Sequence, residues 1–169
     1  MLLYLKRVIV RDLEGLRDQL HAYPEPSMMW IAPPGVTNSS GTLALHMVGN
    51  LQHFIGALLG GTGYERDRPG EFGDRDVPLS ELDSRIDAAI VAVSETLDGL
   101  TEADISAVFP FKFGELEIET GQFLVHLTAH LSYHLGQIDY HRRLTTGENT
   151  VAGSGQIAAI ATSTSFPAT

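Results

Sequence analysis

Apolar side chains recur every three or four positions through residues 4 to 21, at Ile9, Leu13, Leu16 and Leu20. That spacing predicts an amphipathic helix, which Tyr23-Pro24 closes. A loop with Pro24, Pro26, Pro33, Pro34 and Gly35 follows, and Met28, Met29 and Trp30 inside it are expected to plug one end of a bundle. Asn38, Ser39 or Ser40 can cap a second helix through Leu43, His46, Met47, Asn50, Phe54 and Leu58 to Gly60-Gly61. This helix is apolar nearly all round and should be central. The polar stretch from Gly60 to Val77, about 17 residues, exceeds an ordinary helix–helix link and reads as a crossover or a functional loop.

A third helix is expected to open on a Ser80/Asp83 capping box, to carry Leu82, Ile86, Ile90, Val93 and Leu97 inward, and to end at Gly99. Thr101 to Ile105 can add a short helical turn. From Phe109 to Glu119 the period changes to alternation, which predicts a small β-hairpin. Thr120 is then placed to cap a long last helix to about Leu144, with Arg142-Arg143 at its negative end and Gly147 beyond. The fold expected is all-α, a four-helix bundle with long crossover connections and a small hairpin before the last helix. Residues 1–150 form that bundle; residues 151–169, rich in Gly, Ala, Ser and Thr, are expected to be an extended or weakly ordered tail.

Composition narrows the function. The chain has 169 residues, 43% of them hydrophobic and 19% charged, an ordinary balance for one globular domain. No apolar run reaches the roughly 20 residues of a membrane-spanning helix. The apolar start, Met1 to Leu5, precedes Lys6 and Arg7, the reverse of a signal peptide, so a cytoplasmic location is expected. Without cysteine there are no disulfides, thiolate ligands or cysteine nucleophile. Eleven Lys and Arg stand against twenty-one Asp and Glu, a net charge of −10, which disfavours nucleic acid as a partner.

The histidines carry the chemistry. His126, His130 and His134 recur every four residues on the last helix and His141 follows seven later. At about 100° per residue these four and Gln137 share an arc of roughly 80°. Two imidazoles at i and i+4 can converge on one ion. The second helix offers His46 and His53, seven apart on one face, for a third ligand. A three-histidine set leaves positions open for water or substrate, the arrangement of a catalytic metal. Neutral imidazole suits zinc, nickel, copper or iron. Asn50, one turn from His46, and Gln137 are candidates to orient a ligand or a bound water. Arg66 and Arg68 are candidates to meet an acidic substrate at a pocket mouth; the competing reading is a solvated loop with local Arg–Asp pairs. Tyr133 points off the histidine face and is assigned to packing, and His21 to the surface.

Residues 43–53, Leu-Ala-Leu-His-Met-Val-Gly-Asn-Leu-Gln-His, and residues 126–138, His-Leu-Thr-Ala-His-Leu-Ser-Tyr-His-Leu-Gly-Gln-Ile, resemble the two metal-binding segments of the DinB-like superfamily. That superfamily includes the YfiT-like proteins and the bacillithiol and mycothiol S-transferases. The resemblance implies a helical bundle with one divalent metal ion, zinc or nickel favoured, on His46, His130 and His134, with Gly136-Gln137 trailing them. His53 and His141 each lie a further seven residues along, about 10.5 Å, and are read as partly buried, hydrogen-bonded side chains. His126 is the alternative ligand if the register shifts. The resemblance also implies a low-molecular-weight thiol added to an electrophilic small molecule; activated water would make it a hydrolase instead. The alternative is a non-catalytic metal- or ligand-binding bundle acting as a sensor or interaction module. A homodimer is expected if the second side of helix two exceeds what one core needs.

Overall fold

A computed structural model describes residues 1–153 and 155–161. Among them the chain is helical with no sheet. Four long elements make the bundle: α1 (Leu2–His21), α2 (Ser40–Leu51), α4 (Leu79–Gly99) and α6 (Thr120–Thr146). Two short helices decorate the connections, α3 (Arg68–Gly73) after α2 and α5 (Glu102–Ser106) after α4. Helix α1 packs chiefly on α4 and α6, and α2 packs on the same two, so α1 and α2 stand diagonally across the bundle. Ile9, Leu13, Leu16 and Leu20 of α1 are all at most 1% exposed and meet Leu82, Ile86 and Val93 of α4 and Leu124, Leu131 and Ile138 of α6 in one core. Burying side chains of this size contributes about 1.5–3 kcal/mol each before ordering entropy is subtracted.

All twelve residues of α2 are buried. Its second side is covered by the chain itself, by α3 and by the 3-10 turn Pro26–Trp30, whose Trp30 ring lies so close to Gly41 that a side chain there would overlap it. That face therefore gives no reason for a second copy. Ser39 is the residue that caps α2, accepting from Thr42 N at 3.3 Å. Beyond Leu51 the helix widens into a π-type turn, Gln52–Ala57, with bonds such as Leu58 N to His53 O spanning five residues.

Three local expectations are corrected. Helix α4 opens on Pro78 with no side-chain cap, because Asp83 is drawn to His21 and Arg17 of α1 instead of to its own helix end. The capping box sits at Thr101 and Asp104, opening α5. Thr120 does not cap α6: it is the first helical residue, buried, and its hydroxyl donates to Ala107 O at 3.0 Å. The segment before α6 turns at Gly114, φ +65°, and makes only two isolated antiparallel bridges, Val108 to Glu119 and Phe113 to Leu116. Pro110 interrupts a ladder there, and the phenylalanines turn inward: Phe109 and Phe113 stack with Phe54 and Phe123 at centroid separations of 4.4–6.2 Å.

Gly147, φ +73°, ends α6 in the left-handed conformation. After it, Thr150 and Ala152 lie against the bundle through hydrogen bonds from the fully buried Arg142 and from Gln19. The tail expectation at residue 154 and residues 162–169 falls outside the described residues. No helix among the described residues is long and apolar enough to cross a membrane.

Candidate metal centre

His46 leaves the middle of α2, and His130 and His134 leave one face of α6 a single turn apart. The packing of α2 on α6 brings the three rings together, with ligand atoms all within 4.8 Å of one another. The His46 ring stands edge-on to His130 and His134 at centroid separations of 5.4 and 5.5 Å. Nε2 of His130 and Nε2 of His134 face each other at 3.0 Å.

What occupies the other ring nitrogens fixes where the lone pairs point. Nδ1 of His46 faces Glu71 Oε2 at 3.0 Å, and a carboxylate only accepts, so Nδ1 carries the proton and Nε2 is left with its lone pair. Nδ1 of His134 likewise donates to Gln137 Oε1 at 2.7 Å. The result is three imidazoles brought to one point, two of them, His46 and His134, with their remote N–H groups held as metal-binding histidines show. Burial, then repulsion from neighbouring His134 and His46, pushes His130 down to about 4. His134 is also lowered, by burial first. Both rings are therefore neutral near pH 7 and available as ligands. The residues fit a divalent ion of the borderline class.

Glu71 is the residue that sequence reasoning missed. It sits on α3, is 5% exposed, and holds Arg66 in a two-pronged pair: Nε to Oε1 at 2.6 Å and Nη2 to Oε2 at 2.8 Å. Burial alone would raise its carboxyl, but hydrogen bonds and charge from Arg66 and His46 hold it below the usual range. Gly49 of α2 makes this approach possible. A methyl group there would overlap Glu71 Oε1 and lie 2.9 Å from its Cδ. A glycine one turn past His46, within an otherwise apolar helix, was the one available signal.

The other sequence candidates separate. Arg66 is bound to Glu71, an acid-to-arginine pair rather than the Arg–Asp pairing of a solvated loop. Arg68 is exposed, lies over the Phe72 ring at 5.2 Å, and makes no ion pair among the described residues. Asn50 is 7% exposed and its Oδ1 has no hydrogen-bond partner among the described residues. His126 stacks on Phe123 and on His130 at 5.8 and 6.0 Å, at the rim. His141 is buried and hydrogen-bonded, between Tyr23 OH and Ile31 O, each at 2.7 Å. His53 meets Phe54 and Phe111 edge-on, and its ring makes no hydrogen bond among the described residues. His21 is exposed beside Asp83. Tyr133 is 65% exposed and does not pack in the core, although its ring touches that of His134.

Two cavities reach the histidines and share no lining residue. One, of about 510 Å³, touches His134 and is walled by Gln137, His141, Tyr133, Tyr140 and the Gly35–Asn38 loop. The other, of about 270 Å³, touches His46 and His130 beneath Arg66 and Arg68.

A sequence model of the DinB superfamily matches residues 9–138. No curated protein and no solved structure matches the chain.

Proposed function

This chain belongs to the DinB superfamily, and from that premise we propose that it is a metal-dependent enzyme transferring a low-molecular-weight thiol to a small electrophile. His46, His130 and His134 would hold one divalent ion, zinc or nickel. When bound, such an ion supplies Lewis-acid chemistry that lowers the pKa of a thiol or water in its open position. The observation that carries the reading is the convergence of three imidazoles, two of which, His46 and His134, already have their remote nitrogens engaged by Glu71 and Gln137.

The chain's own residues divide the remaining work. Glu71 fixes the tautomer and tilt of His46, and Arg66 fixes Glu71. Gln137 does the same for His134. Phe54, Phe113 and Phe123 supply the apolar side of the smaller cavity beside His130. Two separate cavities favour a reaction between two reactants over hydrolysis, which needs only one besides water. The partners we propose are small molecules alone, with neither nucleic acid nor membrane involved. The setting is cytoplasmic, and any homodimer forms away from α2.

The test is metal content by inductively coupled plasma mass spectrometry, wild type beside His46→Ala and His130→Ala. About one equivalent of zinc or nickel, lost in both folded variants, is expected. A wild-type protein that takes up no metal on reconstitution overturns the reading and leaves a helical ligand-binding or sensor module.

A further inference from the structure

Helix α6 keeps a second face that the metal centre does not use. Val125, Tyr133, Tyr140 and Leu144 stand on it, each 50–70% exposed. At about 100° per residue they share one arc of about 100° with Ala129 and Gly136. From Gln122 to Tyr140 no exposed position carries Asp, Glu, Lys or Arg. The one charged residue in that stretch, Asp139, is turned to Gln19, Arg142 and Arg143. On a chain of net charge −10, an uncharged, exposed, largely apolar strip about 28 Å long marks an interface.

The described part of the chain's own tail does not cover this strip. Beyond Gly147 it is drawn to Arg142 and Gln19, and its last turn, Ile157–Ile160, lies on α1. What the order of residues on the strip does fit is the same strip reversed. Antiparallel pairing about a two-fold axis between His134 and Leu135 sets Val125 beside Leu144 of a second copy, Ala129 beside Tyr140, and Tyr133 beside Gly136. Each pair then recurs with the copies exchanged, as a closed two-fold interface requires. Both tyrosines meet a small residue, so the layers interdigitate instead of colliding. At Gly136 nothing lies within 4 Å of where a Cβ would be, which leaves bare backbone for a ring to rest on.

The same strip borders the metal centre. The cavity of about 510 Å³ that touches His134 is walled by Tyr133, Tyr140 and Leu144, which are exposed residues of the strip. In the antiparallel register, Val125 and His126 of the second copy come beside Leu144.

We propose that this face of α6 is a homodimer interface, in which a second copy packs antiparallel over Val125 to Leu144 and roofs the cavity beside His134 with its own Val125 and His126. Half the girth of a helix about 11 Å across, over about 28 Å, buries about 1,000 Å² between the two copies. That is the lower limit for a specific interface, so the dimer is weak, with a Kd of about 1–100 μM. The pairing needs no ion and is independent of the transfer reading.

Sedimentation equilibrium of the full chain from about 1 to 300 μM tests it. Each copy carries −10 and the paired faces carry no fixed charge, so association should strengthen about threefold or more between about 0.05 and 0.5 M sodium chloride. Tyr140→Glu and Gly136→Gln, both at exposed positions, should keep the helical circular dichroism spectrum and weaken association about tenfold or more. Val91→Glu, at an exposed apolar position of α4, should leave it unchanged. The chain has no cysteine, so the register can be read by cross-linking. Val125→Cys protein mixed with Leu144→Cys protein should form a disulfide between the two, whereas Val125→Cys alone, about 28 Å from its own copy, should not. A wild type that stays monomeric throughout, a dimer indifferent to Tyr140→Glu, equal dissociation by Val91→Glu, or Val125→Cys linking to itself each overturns the proposal.

Discussion

Replacing Glu71 by Gln separates what the carboxylate does for the ion from what it does for the fold. The side chain is 5% exposed and accepts three hydrogen bonds, two from Arg66 and one from His46. An amide of the same size keeps one accepting oxygen and turns its NH2 toward donors, so at most part of that set survives. Losing the partner of a ligand histidine typically weakens metal affinity 10–100-fold, or about 1.4–2.7 kcal/mol. Breaking a buried ion pair costs about 3–5 kcal/mol, because a charge is left behind. Arg66 is 11% exposed at its side chain and lines the smaller cavity, which places the expected folding loss near the lower end, about 3 kcal/mol. Zinc affinity by competition with a chelating dye reads the first effect, and urea unfolding of the stripped protein reads the second. Adding Arg66→Met to Glu71→Gln removes the orphaned cation, so stability should recover by about 1–3 kcal/mol while zinc affinity stays weak. A Glu71→Gln protein whose zinc Kd stays within twofold of wild type refutes the positioning argument.

Three further outcomes follow from the same geometry. Gly49→Ala should weaken zinc binding as Glu71→Gln does and destabilise the fold by about 1–3 kcal/mol, despite alanine's better helix propensity; a gain of about 1 kcal/mol in urea unfolding would show that Glu71 does not need that space. The stripped protein should lose thermal stability as pH falls from about 6.5 toward 4. His130, at about 4 in the fold, stays neutral while its unfolded counterpart near 6.5 takes up a proton, and His53, His134 and His141 are lowered in the same direction by burial. A melting temperature that is flat or rises between pH 7 and pH 5 contradicts that sign. Arg142→Ala should cost about 3 kcal/mol or more, since a 0%-exposed guanidinium holding Gln19, Asp139 and Thr150 disappears; a chevron or equilibrium urea curve with less than about 1 kcal/mol of change would show that network to be incidental.

The parts of the fold that were legible are those written in periodic residues. The α1 stripe, the apolar α2 and the four-residue spacing of His130 and His134 each repeat often enough for helical geometry to place them. The caps were less legible because a cap depends on one hydroxyl or carboxylate, and tertiary partners can outbid the helix end. Asp83 turned to α1, and the Thr120 hydroxyl turned to Ala107. Glu71 was illegible for a different reason. It rides on a six-residue helix in a polar crossover, where no period exists, and its meaning comes entirely from landing on Gly49. Asn50 and Gln137 were picked out beside the histidines, and their separate roles, one bonded and one unsatisfied, needed coordinates.

The distance in sequence between His46 and His130 has a mechanical meaning. The chain contains no cysteine, so nothing covalent ties its first half to its last helix. An ion gripped by all three imidazoles would staple α2 to α6 and close a loop of about 84 residues; by the chain-entropy relation used for disulfides, closing one that long is worth about 4.5 kcal/mol to the folded state. His130 and His134 alone, a turn apart, close almost nothing and can bind an ion in an unstructured chain. His46 is therefore the residue that converts metal uptake into resistance to unfolding. Zinc should raise the melting temperature of the His134→Ala protein, which keeps the long loop closed, more than that of the His46→Ala protein, which keeps only the local pair.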